Sequence, residues 1–322
     1  MSAESLTTPV ALFAYNRPDT TERVIERIVE ADPPAVYVVA DGPRSDRHKD
    51  TERCMEVRLL VERADWNCPV HRLYRDENRG LPAAVYEGLD WVFDSVPEAI
   101  VLEDDTVPSP DFFRFCETLL DRYRDDERVM AINGTNRLGS WRPDRGAYHF
   151  VTFQGVWGWA TWRDAWTQYD PEMEAWTELT VRERIRSHLD DPERYRYYRR
   201  RFDRSYEGIS PSWSRRWRFA VLANEGYCAV PSRNLVSNVG FDDRAVHTTD
   251  PESPLAALPR NELEFPLESP PAVEADREYE RACYERFRRP NHLLRLTRRV
   301  APRPVRSAVP DPIARRMRSL FE

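Results

Sequence analysis

Between residue 8 and about residue 125, short apolar runs break four times into polar turns and then into stretches of helical period. The first, "TPVALFAYNRPDT", leads into "TTERVIERIVEAD". There Val24, Ile25, Ile28 and Val29 recur at helical spacing behind a threonine cap. The second, "PAVYVVADGPRSD", ends in an Asp-Gly-Pro turn. A helix over residues 51 to 63 follows it, with Met55, Leu59 and Leu60 on one face. The third pair is "CPVHRLYRDENRG" and "LPAAVYEGLDWVF". The fourth strand is the Ile100-Val101-Leu102 run of "AIVLEDDTVPSPDFF", and "SPDFFRFCETLL" reads as an N-capped helix. Strands alternating with helices imply an α/β fold with a mostly parallel sheet flanked by helices.

In such sheets ligands bind beyond the carboxyl ends of the strands. The polar residues there are "YNRPD", "ADGPRSD", "DENRG" and "EDD", and all four should face one cleft. The last raises a question of charge. Glu103, Asp104 and Asp105 are adjacent carboxylates that repel one another and are costly to desolvate. They need either a positive partner or open water. A hard divalent cation, Mn2+ or Mg2+, suits oxygen ligands, with a substrate diphosphate completing its shell. The plainer alternative is a solvated strand end.

Beyond about residue 130 the pattern changes. "FVTFQGVWGWATWRDAW" is dense in tryptophan and glycine, and a highly charged helical region follows. Prolines recur from about Asp250 to Pro271 without any period. The expected organisation is 1–130 and 131–250 as two halves of one domain, which the resemblance given below implies to be its nucleotide-sugar-binding and acceptor-side halves. After these come a Pro-rich extended segment, 251–283, and a basic tail, 284–322. From Tyr284 onward there are eleven arginines and three acids, against a net charge of −7 for all 322 residues. The body is thus acidic, which argues against nucleic acid as a partner. In the tail, Ile313, Met317, Leu320 and Phe321 space as one helical face among arginines. That composition fits the surface of an anionic membrane. Five scattered cysteines without a CxxC pair read as free thiols, and no run is long enough to span a bilayer. The expected location is cytoplasmic, peripheral on the inner face of the membrane through the tail.

The stretches "PVALFAYNRPD", "VVADGP", "ENRGLPAAVYEGLDWVF", "IVLEDDTVPSPDFF", "VWGWATWRDAW", "SWSRRW" and "NLVSNVGFDD", in that order, resemble a bacterial and archaeal family of sugar transferases. That family is similar to the N-acetylglucosaminyltransferase I group, with the Rossmann-like GT-A fold. The resemblance covers about residues 8 to 250 and implies a role for several residues. Asp105 would ligate the metal bridging a donor diphosphate, with His247 as a second ligand. Glu103 and Asp104 would position ribose or donor-sugar hydroxyls. Asp41 would accept the N3–H of a uracil-like base, and Arg17 would line the nucleotide pocket. Asn78 and Arg79 would approach the nucleotide or donor sugar. Glycines beside Trp157 and Trp159 let the backbone come close to a ligand, so at least one of these rings should touch sugar.

One departure stands out. The resemblance places a general base as an acid just before the "SW" pair, but here the segment reads Ile209-Ser210-Pro211-Ser212-Trp213. Asp164 and Glu207 are the candidate catalytic acids in its stead. The implied activity is metal-dependent transfer of a sugar from a nucleotide-sugar donor, UDP-linked, to a glycan or lipid-linked acceptor. Rival readings are a sugar nucleotidyltransferase and a non-catalytic glycan-binding protein on the same fold.

Overall fold

A computed structural model describes residues 6–153, 155–210, 212–241, 252–256 and 258–287. Four strands, β1 (Val10–Ala14), β2 (Val36–Ala40), β3 (Val70–Tyr74) and β4 (Glu98–Glu103), alternate with α1 (Pro18–Ala31), α2 (His48–Arg63) and α3 (Leu81–Ser95). All four strands are mutually parallel, and β1 lies between β2 and β4. A short strand β5 (Thr106–Pro108) leads into α4 (Pro110–Arg122).

The second half extends the same sheet. Its strands are β6 (Val129–Asn133), β7 (Tyr148–Val151), β8 (Trp159–Trp162) and β9 (Tyr227–Pro231), and the full order is β3-β2-β1-β4-β8-β6-β9-β7. Strand β8 is antiparallel to both β4 and β6, while β6 and β9 are parallel. The result is a mostly parallel, Rossmann-like mixed sheet flanked by helices. Between β8 and β9 lie α5 (Arg163–Trp166), α6 (Leu179–Leu189), α7 (Pro192–Tyr206) and α8 (Trp213–Ala223). Strand β10 (Val236–Asn238) pairs antiparallel with β5, and α9 (Arg277–Phe287) closes the described chain. Helix α9 runs across the boundary expected at residue 283.

Both sheet faces are covered, as a sheet of this kind requires. One face packs Leu12, Val38 and Leu102 against Ile28, Phe112 and Leu119. The other packs Phe13, Val39 and Val101 against Leu89, Trp159 and Trp217.

Two local expectations are corrected, and one is refined. Helix α1 has no threonine cap; it starts at Pro18, and the Thr20 and Thr21 hydroxyls bond back to the Arg17 carbonyl. Helix α2 turns Asp50, Cys54, Val57 and Val61 inward, leaving Met55 and Leu59 exposed. On that face Asp50 accepts hydrogen bonds from Tyr15, Asn16 and Arg44. The charged region from 179 to 206 is two helices, broken where Asp190 adopts φ 47° and Asp191 caps α7 through the N–H groups of Glu193 and Arg194. All five cysteines are free thiols.

Candidate functional site

The connections through α1 and α3 leave β1 and β4 side by side, with the chain running outward from them in opposite directions. A crevice opens beyond their carboxyl ends at such a reversal. Residues from both strands meet across it. The Tyr15 N–H donates to Asp104 Oδ2 at 3.0 Å, and Arg17 Nη1 lies 3.2 Å from Asp105 Oδ2. Arg17 also donates to the Gly240 carbonyl at 3.4 Å.

The β5–β10 ribbon forms the wall of this crevice. Its register pairs Asn238 with Thr106, so Asn238 Nδ2 comes within 3.3 Å of Asp105 Oδ1. The Val239 N–H donates to the Asp105 carbonyl at 2.8 Å, and the Gly240 N–H to Asn238 Oδ1 at 2.9 Å. A Cβ on residue 240 would stand 2.0 Å from Asp105 Oδ2 and 2.5 Å from Arg17 Nη1. A side chain there would displace the ends of Asp105 and Arg17. Asn238 and Gly240 lie within "NLVSNVGFDD", but nothing in that string assigned them a role.

The acids answer their own electrostatic problem in part. Burial, followed by repulsion from its two neighbours, pushes Glu103 well above the usual carboxylate range, and Arg17 opposes this. Asp104 is raised to about 7 by burial, then by Asp105, again against Arg17. Arg17 offsets the burial of these two carboxyls only in part. Oxygen donors in that state fit a hard cation, although no three metal-ligating side chains converge among the described residues. His247 lies outside the described residues.

Asp41, at the end of β2, is buried and heavily engaged. Its oxygens accept from the Gly42 N–H, the Arg79 N–H, the Gly80 N–H and Asn78 Nδ2, at 2.9–3.2 Å. Asn78 Nδ2 also reaches the Gly42 carbonyl, and Arg79 Nη2 lies 3.2 Å from Glu87 Oε1. These three residues therefore fix the loop between β3 and α3 against the end of β2. A parallel network escaped the sequence. Asp50 accepts from Tyr15 Oη (2.7 Å), Asn16 Nδ2 (2.8 Å) and Arg44 Nε (2.6 Å), joining the β1 and β2 loops. The Arg44 guanidinium keeps the Asp50 carboxyl well below its usual range, with Tyr15 and Asn16 assisting.

Two expected site residues are corrected. Trp159 is fully buried in β8, packed on Trp166, Trp213 and Trp217, and cannot touch a ligand. Asp164 lies at the wrong end of the sheet. Because β8 runs antiparallel to β4, Trp162 pairs with Glu98, and the Arg163 N–H bonds the Pro97 carbonyl at 2.8 Å. Five residues of strand separate that end from Glu103, roughly 16 Å. Trp157 remains half-exposed, its ring 5.8 Å from Phe241. Glu207 is exposed in the loop before α8. That helix leads into β9, which is parallel to β6, so the loop belongs to the carboxyl end of the sheet.

No protein-family model matches the chain, and no curated protein matches it. Among solved structures, UDP-glucose pyrophosphorylase complexed with UDP-glucose aligns at 13% identity with a TM-score of 0.27, over 47% of this chain and 64% of its own. A cytidylyltransferase from Leptospira borgpetersenii serovar Hardjo-bovis (strain JB197) aligns at 9% identity with a TM-score of 0.29, over 52% and 64%. The chain thus spans less than two thirds of either structure. Likeness at this level carries no functional weight, and the fold is defined by the chain's own strand order.

Proposed function

We propose that this chain is a metal-dependent glycosyltransferase of the GT-A type. It moves a sugar from a nucleoside diphosphate donor, UDP-linked, to a glycan or lipid-linked acceptor, with inversion. The observation that carries the reading is the meeting of Arg17 with Asp105 across the crevice between β1 and β4. A cation and a carboxylate cluster, set where an α/β sheet binds its ligand, offer contacts to a diphosphate and to a bridging metal ion. Asp105, with His247 as a second candidate, would hold Mn2+ or Mg2+. The ion would supply Lewis-acid neutralisation of the departing diphosphate.

The chain's own residues divide the remaining work. Arg17 pairs the acids at rest and a phosphate oxygen when donor is bound. Glu103 and Asp104 position ribose or donor-sugar hydroxyls by hydrogen bonds. Asp41, Asn78 and Arg79 shape the base end of the crevice by holding the β3–α3 loop. Trp157 offers an aromatic face to sugar. Glu207 is the candidate general base on the correct side of the sheet.

The decisive experiment incubates the protein with a panel of nucleotide sugars and Mn2+ and reads nucleotide release. Release from at least one donor, lost in Asp105→Ala together with Mn2+-dependent UDP binding by calorimetry, supports the proposal. Pyrophosphate release from a nucleoside triphosphate and sugar phosphate, without turnover of any nucleotide sugar, replaces it with a nucleotidyltransferase.

A further inference from the structure

Helices α6 and α7 have an apolar inner face and an arginine-lined groove outside it. Val181, Ile185, Leu189 and Phe202 pack inward on Trp176 and Phe219. The groove has a volume of about 330 Å³ and is lined by Arg186, Pro192, Tyr195, Arg196, Arg199 and Arg200. Among the described residues no carboxylate belongs to that lining. The volume is that of a small-molecule site, about 300–1,000 Å³.

The groove stands apart from the β1–β4 crevice. His188 Nε2 lies 2.9 Å from the Gly226 carbonyl oxygen, and Arg277 donates to the carbonyls of His188 and Leu189 at 2.8 and 3.3 Å. These contacts fix the α6–α7 turn beside Tyr227, the first residue of β9, and β9 is parallel to β6. The turn is therefore at the amino end of that strand, whereas the crevice opens beyond carboxyl ends.

The arginines of the groove have little to hold them. Arg186 lies 3.5 Å from Glu183 and Arg199 4.0 Å from Asp203, each along its own helix and each pair exposed. Exposed pairs of this kind contribute little. Arg196 and Arg200 are exposed and make no hydrogen bond or ion pair with any described residue. Residues three and four apart on a helix stand roughly 5–6 Å from one another, so Arg196 neighbours both Arg199 and Arg200. Like charges at that spacing destabilise a helix. Elsewhere on the surface the guanidiniums of Arg124 and Arg128 meet carboxylates, Glu98 and Asp126, at 2.7 Å. Tyr195 adds a hydroxyl donor to the groove. Burial raises its pKa, and Arg199 is the first group to oppose the rise, with Arg182 and Arg186 behind it.

We propose that this groove binds a phosphate-bearing ligand with more than one negative charge, of which a diphosphate is the simplest. A single carboxylate would neutralise one of four guanidiniums. A diphosphate presents oxygens to several planar forks at once, through paired N–H···O bonds. A soluble oligophosphate and the adjacent headgroups of an anionic bilayer share that chemistry. The proposal requires nothing of the crevice and stands if the sugar-transfer reading fails.

The test uses the full-length protein in EDTA, which silences metal-dependent binding at the crevice. Inorganic diphosphate is titrated by calorimetry, and co-sedimentation is measured with vesicles of phosphatidylcholine alone or mixed with phosphatidylglycerol. Wild type is compared with Arg196→Gln plus Arg200→Gln and with Arg196→Lys plus Arg200→Lys. A charge-matched control, Arg63→Gln plus Arg145→Gln, alters two exposed arginines outside the groove. Circular dichroism verifies that each variant folds. The glutamine pair should weaken binding of at least one probe about tenfold, the lysine pair should weaken it less, and the control should match wild type. A loss confined to diphosphate identifies a soluble oligophosphate. A loss on phosphatidylglycerol vesicles, with or without the other, identifies lipid headgroups. Wild type that binds neither probe, binding unchanged in the glutamine pair, or an equal loss in the control overturns the proposal.

Discussion

Arg17 Nη1 lies 3.2 Å from Asp105 Oδ2, and the two residues belong to different strand ends, 88 positions apart in the chain. The pair spans the crevice between β1 and β4, with both side chains largely withdrawn from water. Breaking such a pair from one side leaves a charge without compensation, which costs more than the pair itself contributes. For Asp105 this matters twice, because Glu103 and Asp104 sit beside it with raised proton affinities. Arg17 therefore keeps the acidic cluster compatible with a folded protein.

Gly240 tests that arrangement by shape alone. Gly240→Ala would place a methyl 2.0 Å from Asp105 Oδ2 and 2.5 Å from Arg17 Nη1, so the pair must part or the β10 turn must move. Overpacking of this kind costs about 1–3 kcal/mol, equivalent to roughly ten- to a hundredfold in binding if it is borne by the donor complex. Calorimetry with UDP and Mn2+ should show that loss while the circular dichroism spectrum stays unchanged. Wild-type affinity in the variant would detach the β10 turn from the donor site.

The catalytic acid can be located by elimination. Asp164→Asn should leave nucleotide release at the wild-type rate, because residue 164 follows the end of β8 that pairs with the start of β4. Glu207→Gln should slow release by about 10²–10⁴-fold, the usual contribution of a general base, with UDP affinity retained. Full activity in Glu207→Gln would move the search to Asp242 and Asp243 of the "GFDD" stretch.

What was legible in the sequence follows from how far each contact reaches. Strands β1 to β4 and their helices are written in local apolar period, and the four polar strand ends follow from parallel pairing. The phase of α2 was not legible, because its inward face carries a buried acid, Asp50, whose partners Tyr15 and Asn16 lie 35 and 34 residues away. The fates of Trp159 and Asp164 depend on β8 entering the sheet antiparallel between β4 and β6, and no local pattern announces that pairing. Asn238 reaches Asp105 over 133 residues of chain. The acidic motif could be recognised from its composition; the wall that faces it could not.

His149 should make stability fall in acid. Burial lowers its pKa from 6.5 to about 4, with Asp276 and then Glu280 pulling in the opposite direction. Its Nε2 is buried with no hydrogen-bond partner among the described residues, and its ring lies 4.4 Å from that of Tyr279. Between pH 6.5 and 4 the unfolded chain binds the proton that the folded chain refuses, so stability rises with pH across that window and is lost as pH falls through it. The effect is about 1–3 kcal/mol. Urea denaturation at pH 7, 5.5 and 4.5 should show this loss in wild type and a smaller one in His149→Phe, which keeps the ring packing. Identical pH slopes in the two proteins would assign the acid sensitivity to other groups.

The ion pair between Arg194 and Glu280 supplies the last prediction. Both side chains are almost fully buried, with Nη1 and Oε2 2.7 Å apart, and Thr152 donates twice to the same carboxylate. Arg194 Nη2 returns a bond to Thr152 Oγ1 at 3.0 Å, so three elements, α7, α9 and the end of β7, close on one polar cluster. Glu280 keeps its pKa below the usual range despite burial because Arg194 offsets the desolvation. Removing one partner should therefore be far worse than removing both. Arg194→Met alone leaves the buried Glu280 carboxylate to the half-exposed Arg277, 3.0 Å away, for an expected loss of up to about 3–5 kcal/mol in urea denaturation. The double variant Arg194→Met with Glu280→Met exchanges the charges for apolar volume and should recover most of that loss. If the double variant is as unstable as the single one, the cluster matters through Thr152 and Arg277 rather than through the pair. If neither variant loses stability, α9 is held to the sheet by Tyr279 and its aromatic contacts instead.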